Sequence, residues 1–302
     1  MLLNKLHSNL SVHVKPFAIC SISKGSRLHL PGPPALLFHF TLEGQGTLIG
    51  PNGDEHTLAP MHLSVVPIGT KHILETSGDI TNEVHIDEPP TSEQICEIVA
   101  GTDDDPELVI ACGLVNVHYG PSLDLFEHLN DVISIDLSSV PEALSAFKGI
   151  MAEQSLAIAG SDAMTAALMT QCLVHFFRRL PSQGDGAIPW LMALQDARLG
   201  RVIDLVLENP GEKHTVDTLA ETAVMSRSAF SAHFNDLLGR SPMSSVNHIR
   251  MQHATQMLTI ENKSIDEITR NVGYSSRSHF SRAFKDHSGH SPKDFRSMYS
   301  SV

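Results

Sequence analysis

The feature that most constrains this 302-residue chain is a repeat in its last hundred residues. Residues 226–234 read SRSAFSAHF and residues 276–284 read SRSHFSRAF, an offset of 50 positions, and a Gly-x-Ser-Pro tetrapeptide follows each copy at 239–242 and 289–292. Each copy opens with Ser, a preferred N-cap residue, carries two Phe at i and i+4, and ends at Gly shortly before Pro. Each copy is therefore predicted to be one short amphipathic helix, near 226–238 and 276–288.

A second short helix is predicted before each copy, over 216–223 and 265–272, and Gly273 suits the tight turn that follows the second of these. This order and spacing are typical of helix-turn-helix units. A helix over about 242–260 joins the two units, and its apolar residues are expected to pack against both; they are Val246, Ile249, Ala254, Met257 and Leu258. The alternative is a small helical bundle whose outer faces are merely polar.

The face opposite each Phe pair carries the residue types that contact DNA. Arg can bind the O6 and N7 atoms of guanine, Ser can bond to base edges or phosphate, and Lys neutralises phosphate. If the two helices lie one duplex turn apart, about 34 Å, they can enter successive major grooves. The candidate DNA-binding residues are Arg227, Ser228 and Ser231 in the first copy, and Arg277, Ser278, Ser281, Arg282 and Lys285 in the second.

Residues 196–299 resemble the tandem helix-turn-helix domain of AraC-type transcription regulators. The segment VGYSSRSHFSRAFKDHSGHSPKDFR, at 272–296, matches the signature of the second unit. The resemblance implies that Arg282 and its outward neighbours contact promoter DNA and that Arg250 occupies the linker-helix arginine position. RNA polymerase is an expected partner, and the sequence leaves activation and repression both open. Ala232 stands where the family often has a polar or basic residue, so weaker base readout is expected in the first unit, and Thr269 replaces a usual Ala.

Charge is divided unevenly along the chain. The net charge is −13, but residues 1–195 carry 8 Lys+Arg against 22 Asp+Glu, whereas residues 196–302 carry 13 against 12. Binding to a polyanion is therefore expected only in the second half, where cations can share one face. The segment RLPSQGDGAIP at 179–189 has the composition of a linker. We expect a linker at 181–189 and a DNA-binding domain at 190–302.

The first half reads as short strands and then helices. Turn signals at 31–34, 43–46, 50–55 and 67–70 predict an antiparallel β-barrel or sandwich within residues 1–140. Apolar residues at helical spacing predict two helices within 141–180, which serve either a homodimer or intramolecular packing. The predicted fold class is α+β with two domains.

This first half resembles the cupin sensor barrel of one AraC subfamily. The segments that carry the resemblance are FHFTLEGQGTL at 38–48, TLAPMHLSVVPIGTKHIL at 57–74, VIACGLVNVHYG at 109–120 and LFEHLNDVISI at 125–135. Pro67, Gly69 and His72 agree with the second cupin motif, whereas Met61 and His62 replace its usual Gly-Asp turn. The resemblance implies a sensing function.

The same resemblance implies where a divalent metal would lie. His39, Glu43 and His72 take cupin metal positions, and two imidazoles with a carboxylate suit Zn²⁺, Fe²⁺ or Mn²⁺. Leu37 fills a further ligand position and regulatory cupins commonly lack metal, so we expect no cofactor; His56, His62 and His85 are substitute ligands. The expectation is a regulator and not an enzyme. The alternatives are a metal-dependent cupin enzyme with a DNA-binding tail and an architectural DNA binder.

Cys20 and Cys112 fall on separate predicted strands. The resemblance extends to cupin-type AraC regulators that sense oxidants through cysteines near these places, which makes both residues candidate sensors of an oxidant. The alternative is ordinary packing, because free Cys is among the most buried residue types, and packing is also expected of Cys96 and Cys172. A small-molecule effector is the other expected input.

No segment predicts a membrane partner. The longest nearly unbroken apolar stretch, residues 108–115, is far short of the about 18 residues that a membrane-spanning helix needs. The N-terminal residues lack the apolar region of a signal peptide. A cytoplasmic location is expected.

Overall fold

The computed structural model describes residues 9–88, 95–101, 106–120, 123–127, 129–156, 158–180, 188–260 and 263–299. The chain divides into two compact units. The barrel unit holds residues 12–117 and 126–187, and the helical unit holds residues 1–11, 118–125 and 188–302. Residues 181–187 of the predicted linker lie outside the described residues.

Two sheets form the β structure. The strands are β1 Leu10–Val14, β2 Ala18–Ile22, β3 Ser26–Leu30, β4 Leu36–Gly44, β5 Gly46–Ile49, β6 Glu55–Leu58, β7 His62–Val66, β8 His72–Glu75, β9 Asn82–His85, β10 Cys96–Ala100, β11 Leu108–Tyr119, β12 Leu123–Asp124 and β13 Ile133–Asp136. The first sheet has the order β10-β2-β11-β4-β7-β13, with β1 and β12 also paired to β11. The second has the order β6-β5-β8-β3-β9.

Apolar side chains from both sheets form one core. Cys20 and Leu108 enter it from the first sheet, and Leu28 and Leu74 enter it from the second. Most strand pairs are antiparallel, as predicted, but β10–β2 and β3–β9 are parallel. A β-barrel followed by helices confirms the α+β fold class.

The outer face of the first sheet is covered by aromatic side chains. Two helices follow the strands, α1 Pro141–Leu156 and α2 Ser161–Arg179. Phe40 stacks on Phe147 of α1 with ring centroids 3.8 Å apart. Gly113 leaves room for Phe17, because a Cβ atom there would lie 1.5 Å from that ring. Since successive residues of a strand point to opposite faces, the buried Phe38 and Phe40 direct His39 into the barrel.

The helical unit contains the predicted duplication. Its helices are α3 Pro189–Gln195, α4 Ala197–Glu208, α5 Val216–Ala223, α6 Arg227–Leu238, α7 Pro242–Ile260, α8 Ile265–Asn271, α9 Arg277–Ser288 and α10 Pro292–Tyr299. Phe230 and Phe234 of α6 and Phe280 and Phe284 of α9 are buried, as the repeat predicts. The apolar residues named on the joining helix α7 are buried too. None of the described helices is long and apolar enough to cross a membrane.

The two predicted N-caps differ. The Ser226 side chain accepts a hydrogen bond from the backbone amide of Ala229, which caps α6. Ser276 occupies the N-cap position of α9 but makes no such bond, and its hydroxyl lies 2.8 Å from that of Ser278. The prediction of a side-chain cap is therefore wrong for the second unit.

The turns inside the two units also differ. Both pass through the left-handed region of backbone space, at Gly273 with φ 78° and at Val224 with φ 56°. A β-branched residue is strained there because its Cβ atom crowds the backbone. Val224 is 78% exposed, so little apolar burial offsets this strain.

Replacement of Val224 by Gly is expected to stabilise the helical unit by about 1 kcal/mol. A strained left-handed residue costs about 1–3 kcal/mol, and the larger conformational entropy of unfolded Gly removes part of the gain. Trp190 is the chain's single tryptophan and is fully buried in this unit, so its fluorescence during urea unfolding measures the change. The reverse change, Gly273→Val, serves as the control and should destabilise, because its Cβ atom would lie 2.6 Å from the Gly211 carbonyl oxygen. A lower urea midpoint for Val224→Gly would contradict the strain argument.

Candidate functional sites in the duplicated helices and the barrel

The predicted DNA-binding residues all lie on α6 and α9, which we call the recognition helices. Most of them are exposed, namely Arg227, Ser228, Arg277, Ser278, Arg282 and Lys285. Ser231 and Ser281 are half-buried. Because the buried Phe pairs hold the opposite faces, each helix presents its polar face to solvent.

An ion pair at the start of each recognition helix is duplicated with the fold. Arg227 Nη1 lies 3.0 Å from Asp217 Oδ2, and Arg277 Nη1 lies 3.3 Å from Asp266 Oδ2. Each Asp is the second residue of the preceding helix. These two arginines are therefore engaged within their own units. The ion pairs were not predicted from the sequence, although an Asp stands at the matching position of both units.

Arg282 and Lys285 differ from these arginines. Both side chains are exposed, and no ion pair holds either of them within the part of the chain that the structure describes. In the first unit Ala232 is exposed at the position that matches Arg282. The second recognition helix therefore presents the stronger positive charge.

Arg250 lies on the joining helix α7 and is half-buried. Its Nε donates to the Pro210 carbonyl and an Nη donates to the Glu212 carbonyl, each at 2.7 Å. Burial lowers the pKa of this guanidinium. In this geometry Arg250 ties the segment before α5 to the joining helix.

The first recognition helix is anchored to the start of α4. His233 Nε2 lies 2.5 Å from Asp196 Oδ2. Asp196 also caps α4, because it accepts hydrogen bonds from the backbone amides of Arg198 and Leu199. The bond from the Arg198 side chain is the main cause that holds the pKa of Asp196 well below its usual value.

Inside the barrel, four side chains form one continuous row. Cys20 Sγ lies 3.1 Å from Cys112 Sγ, and Cys112 Sγ lies 3.0 Å from His39 Nδ1. His39 Nε2 lies 2.8 Å from His72 Nε2, and His72 Nδ1 lies 3.2 Å from the Thr70 carbonyl oxygen. All four are buried. We call Cys20, Cys112, His39 and His72 the buried row.

The carbonyl at one end determines the direction of every hydrogen bond in the row. A carbonyl oxygen only accepts, so His72 donates from Nδ1, which leaves its Nε2 as an acceptor. His39 then donates from Nε2 and accepts at Nδ1 from the Cys112 thiol. The Cys20 thiol donates to the Cys112 sulfur.

Burial favours the neutral form of three members of this row, His39, His72 and Cys112. It lowers the pKa of His39 well below its usual value, with the nearby His72 as a second cause. It lowers the pKa of His72 to about 4. Burial and then the neighbouring Cys20 raise the pKa of the Cys112 thiol. The Cys112 thiol therefore keeps its proton and can act as a hydrogen-bond donor.

The structure separates Glu43 from the two histidines with which it was grouped. On β11, Ile110 pairs with Thr41 and Val109 pairs with Glu43, so Leu42 is an extra residue in β4. This β-bulge reverses the alternation of faces, and Glu43 leaves the inner face on which His39 lies. Glu43 is exposed, so His39, Glu43 and His72 do not form one ligand set. His56 and His62 are instead paired with Asp54 and Asp136.

A cavity of about 170 Å³ reaches the buried row. Cys20, Cys112 and His39 line it, together with the apolar Leu37 and Leu114. Lys15, several prolines and further aliphatic side chains complete the lining. A small molecule that entered this cavity would contact both thiols of the row.

The two remaining cysteines have different surroundings. Cys172 is buried in α2, with its sulfur 4.0 Å from the Ala143 carbonyl oxygen. Cys96 is half-buried on β10 and packs against the same core as Cys20. Cys96 lies opposite Ala18, which also pairs with Cys112, so its side chain points to the face that carries the other two thiols.

Two family models match different parts of the chain. The family model described as a helix-turn-helix domain matches residues 219–298, and the one described as cupin matches residues 2–180. The chain is 27% identical over 267 residues to the RCS-specific HTH-type transcriptional activator RclR of Escherichia coli K12, covering 86% of this chain and 83% of RclR. It is 24% identical over 301 residues to the HTH-type transcriptional regulator AlkR of Acinetobacter baylyi, covering 97% of this chain and 98% of AlkR.

Among solved structures, the DNA-binding domain of AdpA in complex with a target DNA is 31% identical, with a TM-score of 0.32. The match covers 33% of this chain and 90% of that domain. A cupin barrel and a duplicated helix-turn-helix, in a chain whose relatives are named transcriptional regulators, identify a DNA-binding transcription regulator and not an enzyme. The chain belongs to the AraC-type regulators that carry an N-terminal cupin domain.

The duplicated ion pairs lead to a test on DNA. Asp217→Asn and Asp266→Asn release Arg227 and Arg277 and remove negative charge beside the recognition helices, so each should tighten binding to any duplex. The gain should be at most about fivefold, because exposed ion pairs are worth about 0.2–1 kcal/mol. Fluorescence anisotropy with promoter and random duplexes measures it.

Glu221→Gln is the matched control for charge. Glu221 is exposed on α5, the helix of Asp217, and no arginine pairs with it in the described structure. It should change affinity less than Asp217→Asn does. If the two variants gain equally, the effect comes from overall charge and not from the released arginine.

Proposed function

We propose that this regulator responds to a two-electron oxidant through Cys20 and Cys112. The observation that carries the proposal is the 3.1 Å separation of their sulfur atoms inside the barrel. Cys112 and Cys20 lie diagonally on neighbouring strands, since Cys112 pairs with Ala18 and Cys20 with Ile110. A disulfide of about 2.05 Å requires an approach of only about 1 Å more. The name of RclR, which calls it RCS-specific, is consistent with a sensor of this kind.

In the first step, the Cys112 thiol reacts with the oxidant, a hydroperoxide or hypohalous acid written X–OH. The Cys112 sulfur attacks the oxygen, the X–O bond breaks with its electron pair on X, and His39 Nδ1 accepts the thiol proton. His39 returns that proton to X, so the products are a sulfenic acid and H–X. His39 lies 3.0 Å from the sulfur, within reach for this transfer.

The second step forms the disulfide. The Cys20 sulfur attacks the Cys112 sulfur, the S–O bond breaks, and the hydroxyl leaves as water with the Cys20 proton. Together the thiols lose two electrons and the oxidant gains two. Because burial raises the pKa of the Cys112 thiol and lowers the pKa of His39, the thiol keeps its proton at rest and passes it to His39 only as the S–O bond forms.

The lining of the same cavity favours a small molecule as a second input. Its mostly apolar lining suits a small apolar effector. Such an effector would change promoter binding without a change in the mass of the protein, which separates it from oxidation.

For the output, we infer that Arg282 reads a base and Lys285 neutralises phosphate in the major groove. Their exposure on one helix face supports this assignment. Arg227 and Arg277 act only after they leave Asp217 and Asp266, so they are expected to position the helices on phosphate. Minor contacts to bases or phosphate are expected from the four serines of the recognition helices, Ser228, Ser231, Ser278 and Ser281.

We also infer a homodimer through the helical region 141–180. Leu156, Ile158 and Met164 lie at its α1–α2 connection and are 61%, 61% and 49% exposed. Sedimentation at micromolar concentration tests this assignment, and a monomer would contradict it. We also infer that the regulator contacts RNA polymerase at the promoter and that it acts in the cytoplasm.

The thiol proposal predicts a disulfide on oxidation. Stoichiometric hydrogen peroxide should lower the mass of the wild-type chain by two hydrogens, and tandem mass spectrometry should locate the link between Cys20 and Cys112. Promoter affinity or transcription should change at least about fivefold, the lower end of allosteric coupling. Cys112→Ser should abolish both results while it still binds DNA.

Cys172→Ser is the matched control, since it removes a buried thiol outside the row. It should behave as the wild type does. Cys20→Ser should stop at the sulfenic acid, which a dimedone probe detects. An unchanged promoter response in Cys112→Ser would refute the oxidant sensor but leave the DNA-binding assignment intact.

Arg282→Ala should lose about 1–3 kcal/mol of specific affinity, the value of a bidentate arginine–guanine contact. Lys285→Ala should instead weaken promoter and random DNA alike and reduce the salt dependence. Arg178→Ala removes an exposed arginine from the barrel unit and should change neither. Equal losses on promoter and random DNA for Arg282→Ala would reduce it to a phosphate contact.

A further inference from the structure

A second group of ligand-type side chains lies on the outer face of the second sheet. β3 and β9 are parallel neighbours, and their register sets His29 beside His85 and Arg27 beside Glu83. The intervening Leu28 points into the core, so His29 and Arg27 point outward. His85, named above as a substitute ligand for the barrel interior, pairs with His29 on the outer face instead, and the buried row includes neither of them.

The ligand atoms of these three residues converge. His29 Nε2 lies 3.1 Å from Glu83 Oε2, and the rings of His29 and His85 stack with centroids 4.1 Å apart. One ligand atom from each residue falls within 4.8 Å of the other two, and no other such group occurs among the described residues. Two ligands of a tetrahedral Zn²⁺ ion, each at about 2.0–2.2 Å, lie about 3.4 Å apart, so side-chain rotations must bring the most distant pair about 1.4 Å closer.

The charges nearby leave the carboxylate available. Arg27 is the competing partner, but it lies 2.6 Å from Glu75 and 3.6 Å from Glu83. Glu75 therefore holds Arg27 more closely, and Glu83 is free to turn toward the histidines. The Glu83 side chain is 46% exposed, so about half of its surface faces solvent, where this rotation has room.

We propose that His29, Glu83 and His85 form a binding site for a divalent transition metal, with Zn²⁺ as the reference ion. Two imidazoles and one carboxylate are a ligand set that such ions prefer. The ion would join the edge strand β9 to β3. His29 and His85 also line a groove of about 400 Å³ that includes His72, so the ion would lie in the same groove as one end of the buried row.

Calorimetry of the full chain, without an affinity tag, tests the site with Zn²⁺ alone. The wild type should bind one equivalent with a micromolar dissociation constant, and Zn²⁺ should raise its melting temperature. His29→Ala and His85→Ala should each weaken binding at least about tenfold and remove the thermal shift. Glu83→Gln keeps the shape of the side chain and should weaken binding as well, so a folding defect cannot explain all three results.

His13→Ala is the matched control, because His13 is exposed on β1 and outside this cluster. It should bind as the wild type does. Co²⁺ separates this site from the buried thiols, since thiolate ligands give a charge-transfer band in the near ultraviolet and nitrogen or oxygen ligands do not. The proposal is overturned by absent binding, by a thiolate band in the wild type, or by unchanged binding in the His29 and His85 variants.

Discussion

The pairing of β4 with β11 controls which side chains meet inside the barrel. His39 and Cys112 are directly opposed in this pair and share the inner face. One extra residue, Leu42, then reverses the alternation and turns Glu43 away. The same strand that supplies a cupin-type histidine therefore removes the cupin-type carboxylate. This single bulge keeps the Glu43 carboxylate out of the interior, where thiols and imidazoles form one row.

The helical unit could be predicted closely because its signals are local. Cap residues, the Phe pair at i and i+4, and the Gly terminator act within one or two turns of helix, so each copy specifies its own structure. The duplication then supports each assignment twice. What the repeat conceals is where the copies differ, as at Val224 and Gly273 in the turns and at Ser226 and Ser276 in the caps. These differences depend on backbone angles and on hydroxyl geometry, which residue type alone does not determine.

The barrel interior was predicted only in part. Cys20, Cys112, His39 and His72 were each singled out from the sequence, but as two separate groups, one for oxidants and one for metal. Contact between the two groups depends on the strand register between segments that lie far apart in the chain. The two cysteines, for example, are 92 positions apart. The oxidant hypothesis and the metal hypothesis therefore concern side chains that lie in one row of contacts. His29 and His85 escaped grouping for the same reason, because a parallel pairing brings them together.

The direction of hydrogen bonding explains why the buried histidines and the surface histidines are suited to different chemistry. A metal ligand needs an imidazole nitrogen with a free lone pair aimed at the ion. In the buried row, His39 uses one nitrogen as a donor and the other as an acceptor, and His72 does the same. No lone pair of either ring is left for an ion unless the row breaks. At the surface, His29 and His85 meet each other face to face and keep nitrogens that can turn toward a common point. The interior therefore holds a thiol in a hydrogen bond to an imidazole acceptor, whereas on the outer face of the second sheet the imidazole nitrogens lie close enough together for one ion to reach them.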